Sequence, residues 1–140
     1  MYVRKPGIAV LVFLLLMLPA ACRRQSGITA SAESAAIEQL RTLNAAQTSF
    51  QQSNGHYACT LTELGTQAGL VDKETLSGQR DGYAINLHCA QKNGRSTYQI
   101  WASPADAALA GAGFYCIDQS GLLRRTNRRL DDCAAARPLE

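Results

Sequence analysis

Cysteine and histidine are the residue types in this chain best suited to chemistry. The 140 residues include five cysteines and two histidines. His56 lies three residues before Cys59, and His88 directly precedes Cys89. Histidine and cysteine are both residue types that bind zinc. Adjacent residues of a strand point to opposite faces, however, so His88 and Cys89 are not expected to ligate one ion. No other residue marks an oriented base or an oxyanion site, so we expect no catalytic residue, no metal and no cofactor.

Four of the cysteines form an even set that fits disulfide bonding. They are Cys59, Cys89, Cys116 and Cys133. An even number of cysteines in a chain bound for an oxidising compartment is typical of a disulfide framework. We therefore expect two disulfides, and the residue types alone leave all three pairings open.

The first 21 residues have the layout of a secretory signal peptide. Arg4 and Lys5 supply a basic start, residues 8–18 are apolar, and Ala20-Ala21 are small enough for a peptidase pocket. The 15 residues from Gly7 to Ala21 are short for a membrane span, which needs roughly 20 apolar residues. Removal of residues 1–21 is therefore favoured over a retained anchor.

Cys22 directly follows the predicted cleavage site. Two small residues before a cysteine resemble the lipobox of bacterial lipoproteins, although Pro19 stands where that family prefers leucine. The resemblance implies that the Cys22 thiol carries a lipid and becomes the first residue. Arg23 differs from the aspartate of the inner-membrane retention signal, so we expect an outer-membrane lipoprotein that faces the periplasm or the cell surface. Ordinary secretion and a retained N-terminal helix are the alternatives.

The charge of the chain is nearly balanced once the signal peptide is removed. The sequence has 14 Lys and Arg and 11 Asp and Glu, and Arg4 and Lys5 leave with the signal, so 12 basic residues remain against 11 acidic ones. This balance argues against attraction of the whole surface to nucleic acid. The expected partners are the membrane, through the lipid, and proteins of the envelope. We expect no nucleic-acid partner and no small-molecule substrate.

A long amphipathic helix is the clearest secondary-structure signal. Apolar or small residues recur at steps of three and four from Ala36 to Phe50, while glutamine, glutamate, arginine and serine fill the opposite face. Asn54-Gly55 predicts the end of this helix. The polar segment 22–32 is predicted to be a tether that leads into it.

A second, shorter helix is predicted after Cys59. Thr60 and Glu63 have the spacing of a capping box, and Gly65 or Gly69 is expected to end the helix. The sequence from there to Gly82 is charged and typical of turns.

The second half of the chain has the pattern of strands. Residues 83–89 and 97–102 alternate in polarity, and Asn93-Gly94 between them predicts a hairpin turn. Residues 114–119 and 122–125 predict a third strand and a short fourth. The expected fold is α+β, with one long helix packed on a three- or four-stranded antiparallel meander.

Four stretches in order carry a resemblance to a known family. The run "AIEQLRTLNAAQTSFQQSNGHYACTLTELG", followed by "GYAINL", "TYQIWASP" and "FYCIDQSGLLRR", resembles the globular part of type IV pilins and type II secretion pseudopilins over residues 33–126. The resemblance implies a pilin-like domain at 33–133 with a C-terminal tail at 134–140. It also implies a non-enzymatic role through protein contacts, accessory to a pilus or a secretion system.

The N-terminus departs from that family. Prepilins are cut after a glycine that precedes a hydrophobic helix with glutamate at its fifth position. Here Gly7 is followed by Ile8, and the fifth position is Val12. The chain therefore resembles a pilin head without its stalk, and the missing carboxylate argues against filament assembly. A pilin subunit that retains its N-terminal helix is the alternative.

The resemblance also implies how the cysteines pair. By analogy with the stapled C-terminal region of many pilins, Cys59 is paired with Cys89, and Cys116 with Cys133. An exchange such as Cys59 with Cys116 remains open.

Four arginines and the single tryptophan are candidate contact residues. The arginines are Arg124, Arg125, Arg128 and Arg129. They are suited to a phosphate or an anionic lipid head group, or they form a solvated edge neutralised by Asp131-Asp132. Trp101 is out of phase with Tyr98 and Ile100, so it faces outward to stack on a sugar or a partner, or packs under the loop 103–113. An adhesion or DNA-binding module is the function that would use these residues.

Overall fold

One long helix, α1, begins the described part of the chain. The computed structural model describes residues 19–68 and 71–140. Helix α1 spans Pro19–Asn54, so the helix includes the segment 22–32 that was predicted to be a tether. This segment contains no proline and one glycine, Gly27, so only one residue belongs to the two types that disfavour a helix most. Most of the predicted signal peptide, residues 1–18, lies outside the described residues, as does the side chain of Cys22.

The apolar face of α1 is buried as predicted. Its fully or almost fully buried side chains are Ala36, Leu40, Leu43, Ala46 and Phe50. The predicted end is also confirmed, because α1 stops at Asn54 and Gly55 adopts a φ of 76°. A left-handed residue of this kind suits glycine and closes the last helical turn.

The glutamines of α1 were predicted to lie on its exposed face, but one of them is buried. Gln47 is 0 % exposed. Its side-chain Nε2 donates to the Ala58 carbonyl at 2.8 Å, and its Oε1 accepts from the Ala58 N–H at 3.0 Å. The segment after α1 folds back over the helix and buries this peptide group, which then needs hydrogen-bond partners.

Replacing Gln47 by leucine is expected to lower the free energy of unfolding by about 2 kcal/mol, because both backbone groups of Ala58 lose their partner in a buried place. Urea unfolding followed by circular dichroism measures this loss. Gln52 is exposed on the same helix, so Gln52→Leu is the matched control and should change stability by less than about 0.5 kcal/mol. Equal effects of the two substitutions would contradict the assigned role.

The predicted capping box is confirmed, with a shift of one residue. Helix α2 spans Leu61–Ala68. The Thr60 hydroxyl accepts from the Glu63 N–H at 3.0 Å, but the Glu63 carboxylate accepts from the N–H of Cys59 at 2.8 Å. Gly65 does not end the helix. Its role is close packing, since a Cβ there would lie 2.4 Å from Cδ2 of Leu76.

The segment predicted to form turns before Gly82 contains two short elements. Helix α3 spans Lys73–Leu76, and strand β1 spans Gln79–Arg80. Asp72 caps α3, because its carboxylate accepts from the Thr75 N–H at 2.8 Å. The hydrogen bond from Thr75, together with the neighbouring Arg80 guanidinium, holds the pKa of Asp72 below its usual value.

The strands form one six-stranded antiparallel sheet in chain order, which is more than the three or four predicted. The remaining strands are β2 Tyr83–Lys92, β3 Arg95–Pro104, β4 Phe114–Asp118, β5 Arg124–Thr126 and β6 Arg137–Pro138. The additional strands, β1 and β6, have two residues each and therefore carry no alternation that a sequence pattern would reveal. The predicted hairpin is confirmed, since Asn93 and Gly94 have φ values of 54° and 73°.

The inner face of the sheet packs against α1. Tyr83 and Tyr98 lie on this face, where Tyr83 donates to the Gly113 carbonyl at 2.9 Å and Tyr98 donates to Asn44 of α1. Burial raises the pKa of both phenols, so they remain hydrogen-bond donors at neutral pH.

Candidate functional site

The outer face of the sheet is crossed by residues 127–136, which we call the strap. Arg129 of the strap lies 3.0 Å from His88 on β2, measured from Nη2 to Nε2. Further along, Cys133 is bonded to Cys116 on β4. The strap therefore extends over three strands before it enters β6.

Trp101 lies beneath the strap and is 1 % exposed. It forms a second core with Cys116, Cys133 and Ala136, with Phe114 and Leu130 at the rim. The outward direction predicted for Trp101 is confirmed, but the strap covers it and not the loop 103–113. Its ring is therefore not available to stack on a ligand.

Gln99 fastens the strap to β3. Its Nε2 donates to the Asp131 carbonyl at 2.9 Å, and its Oε1 accepts from the Cys133 N–H at 2.9 Å. The same oxygen accepts from the indole N–H of Trp101 at 3.3 Å. No sequence signal distinguishes Gln99 from an ordinary polar residue on an exposed strand face, so its role was not predicted.

Replacing Gln99 by leucine is expected to loosen the strap and to cost about 1–3 kcal/mol, because two backbone groups lose their partner. Acrylamide quenching of the single tryptophan should increase. Thr97→Val on the same face of β3 is the control, since Thr97 bonds only within the hairpin, to the Ala90 carbonyl at 3.0 Å. Unchanged quenching in the Gln99 variant would contradict this role.

Arg124 belongs to a buried ion pair beneath the strap. Its Nη1 lies 2.8 Å from Oδ2 of Asp118, and the two side chains are 10 % and 9 % exposed. The other carboxylate oxygen of Asp118 accepts from the Ser120 N–H at 2.8 Å. The pair therefore joins β5 to the end of β4, and Nη1 of Arg124 also lies 4.0 Å from the Cys133 sulfur of the strap.

The four arginines, for which a phosphate grip and a solvated edge were both considered, lie in different places. Arg125 lies on the helix-covered side, where its Nη2 is 3.6 Å from Glu33 and its guanidinium is 5.9 Å from the centre of the Tyr115 ring. Strand alternation separates Arg124 from Arg125, and the strap carries Arg128 and Arg129 elsewhere. A phosphate grip that uses all four arginines has no support in this arrangement.

The cysteines pair as the family resemblance implied. Disulfides join Cys59 to Cys89 and Cys116 to Cys133. His88 lies on the outer face, opposite to Cys89, as alternation predicts. His56 lies 3.8 Å from the Glu63 carboxylate. Within the described ranges, no three His, Cys, Asp or Glu side chains are grouped to hold a metal ion.

An open groove of about 1,530 Å³ lies at the end of the sheet where α1 extends past it. Its lining includes the alanine- and glycine-rich loop 105–113, together with Phe114, Leu130 and Arg137. Glu33 of α1 fixes this loop, because its carboxylate accepts from the Gly113 N–H at 2.8 Å. This groove was not predicted, since it is formed by segments far apart in sequence.

The first side chains of α1 that the structure describes lie outside the core. None of the side chains from residue 27 to residue 31 is buried, and Ile28 is 54 % exposed. In the part of the chain that the structure covers, no helix has both the length and the hydropathy to cross a bilayer.

Comparisons with family models, with curated proteins and with solved structures find no match to this chain.

Proposed function

We propose that this chain is an exported envelope protein, anchored by acyl groups on Cys22, whose pilin-like head acts through protein contacts. The observation that supports this most is the course of α1, which lies across an antiparallel sheet and then extends past it toward Cys22. At a rise of about 1.5 Å per residue, residues 22–31 place the anchor about 15 Å from the head. The partner machinery is a pilus, a secretion system or a separate envelope complex.

The two disulfides suit a role outside the cytoplasm. They cross-link segments 30 and 17 residues apart, and small exported domains commonly use such bonds. Three polar groups of the candidate site serve the fold, because Gln99, Asp118 and Glu33 bond to neighbouring segments. The proposal therefore assigns these groups to a rigid contact surface and assigns no reaction to them.

The test is the intact mass of the protein extracted from membranes. The proposal expects the mass of a chain that begins at Cys22 plus its acyl groups. Cys22→Ser should abolish acylation and release the protein from the membrane fraction, while Ser26→Ala, four residues further along, should change neither. A wild-type mass that retains residues 8–21 would refute the lipid anchor.

A second candidate is a filament subunit that keeps its N-terminal helix. The continuity of α1 through residues 22–32 favours it, since a lipoprotein is expected to have a flexible tether at this place. The two candidates differ in the Cys22→Ser variant. A filament subunit would remain membrane-bound and enter fibres, whereas a lipoprotein would do neither.

A further inference from the structure

Strand β2 has an edge that is mostly unpaired. It is ten residues long, but β1 pairs only with Tyr83 and Ala84. The Ile85 N–H then donates to the Gly78 carbonyl at 2.7 Å. From Asn86 onward, no strand among the described residues lies on this side of β2.

The unpaired edge presents a regular row of backbone groups. Because Ile85 bonds toward β1, alternation directs the N–H and C=O of Leu87, Cys89 and Gln91 to the same side. Neither the sheet register nor the loop bonds of the described residues give these three residues a backbone partner on that side. None of residues 86–91 is buried. The row is therefore open to a further strand.

This edge lacks the features that normally prevent strand pairing. Natural edges are blunted by proline, charged residues, bulges or very short strands. Residues 86–91 contain no proline, lysine, arginine, aspartate or glutamate. The opposite edge of the sheet ends in β6, which has only two residues. The fold thus protects one edge by its shortness and leaves the long one available.

The two flanks of the edge differ in chemistry. On the helix-covered face lie Leu87 and the Cys59–Cys89 disulfide, both apolar. On the outer face His88 lies 3.0 Å from Arg129, a guanidinium that has no carboxylate partner among the described residues. An added strand would therefore meet an apolar flank on one face and a cationic flank on the other.

We propose that β2 binds an extended segment of a partner protein as an added antiparallel strand along residues 86–91. The segment carries apolar side chains toward the helix-covered face and acidic side chains toward His88 and Arg129. Backbone bonds supply the affinity of such strand addition, and alternate side chains supply its specificity. The inference deepens the proposed contact function, but it does not depend on the lipid anchor.

The probe is the peptide Ac-VEVEVEV-NH2, titrated into the full chain and followed by calorimetry. In an antiparallel pair, residues that bond directly to each other have their side chains on the same face of the sheet. The peptide residues that bond to Leu87, Cys89 and Gln91 therefore have side chains on the helix-covered face. In the proposed orientation these residues are the valines, so their N–H groups point toward β2. N-methylation of two valines should abolish binding, and N-methylation of two glutamates should preserve it. Replacing glutamate by lysine should weaken binding at least about tenfold, since Arg129 then opposes a like charge. Equal effects of the two methylation patterns, or no binding at all, would overturn the proposal.

Two variants of one residue test the same edge from the protein side. Gln91→Pro removes an outward N–H without removing a bond to β3, as edge positions allow, whereas Gln91→Ala keeps the N–H. Only the proline variant should lose the peptide. If it does not fold, the methylated peptides with the unmodified chain decide the question. A dimer in sedimentation experiments that Gln91→Pro abolishes and Gln91→Ala retains, together with no peptide binding, would instead assign this edge to a second copy. A negative peptide result leaves the mass test of Cys22 unaffected.

Discussion

Replacing both Cys116 and Cys133 by serine is expected to produce a large loss of stability together with a red shift of tryptophan emission. The disulfide closes a segment of 17 residues, which is worth about 3 kcal/mol in the chain-entropy model. Both sulfur atoms also belong to the core around Trp101, so their removal frees the strap that covers the ring. Urea unfolding measures the first effect, and steady-state fluorescence of the folded protein measures the second.

The double variant Cys59→Ser/Cys89→Ser is the matched control. Its disulfide closes a longer segment, of 30 residues, and the same model gives a similar loss of about 3–4 kcal/mol. This bond lies on the helix-covered side of the sheet, away from Trp101. The control should therefore lose stability without a change in emission. A red shift in both double variants would mean that the strap does not depend on its own disulfide.

The elements that were predictable from the sequence depend on local patterns. The face of α1 from Ala36 to Phe50 repeats over four turns, and that repeat is sufficient to place a helix against a core. Asn93-Gly94 fixes the hairpin because both residues accept a positive φ. The disulfide pairing was also anticipated, although from a family resemblance and not from the residues themselves.

The elements that were not predictable depend on distant segments. Strands β1 and β6 have two residues each, and they are strands only because β2 and β5 lie beside them. Gln47 has the sequence character of a surface residue, yet it is buried because the peptide of Ala58 folds onto it. Residues 22–32 show the opposite case, since polar composition indicated a tether while adequate helix propensity let α1 continue.

For the candidate site, the sequence predicted which face of the sheet a side chain lies on, but not which segment covers that face. Strand parity placed Trp101 on the outer face, whereas the strap that covers it arrives from 26–35 residues further along the chain. Parity also separates Arg124 from Arg125, a consequence that follows only once both are known to lie within β5. Of the four arginines that are close in sequence, Arg124 forms a buried ion pair, and the other three lie apart on the surface.

Replacing Arg124 by leucine is expected to lower the free energy of unfolding by about 3–5 kcal/mol, because it leaves the Asp118 carboxylate buried without its charge partner. The pair is almost enclosed, with both side chains at most 10 % exposed. Removing both charges in Arg124→Leu/Asp118→Leu should recover part of the loss, since apolar side chains in the same space no longer bury an unpaired charge. The recovery is incomplete because Asp118 also holds the turn at Ser120.

Arg125→Leu is the control for this prediction, because it changes the neighbouring residue of the same strand. The Arg125 side chain is 53 % exposed and lies 3.6 Å from Glu33, so its ion pair should contribute less than about 1 kcal/mol. Chemical unfolding of the three variants and the wild type gives the comparison. If the single Arg124 and Arg125 variants were equally stable, Arg124 would be a solvated edge residue after all, and the strap would rest on its disulfide and Gln99 alone.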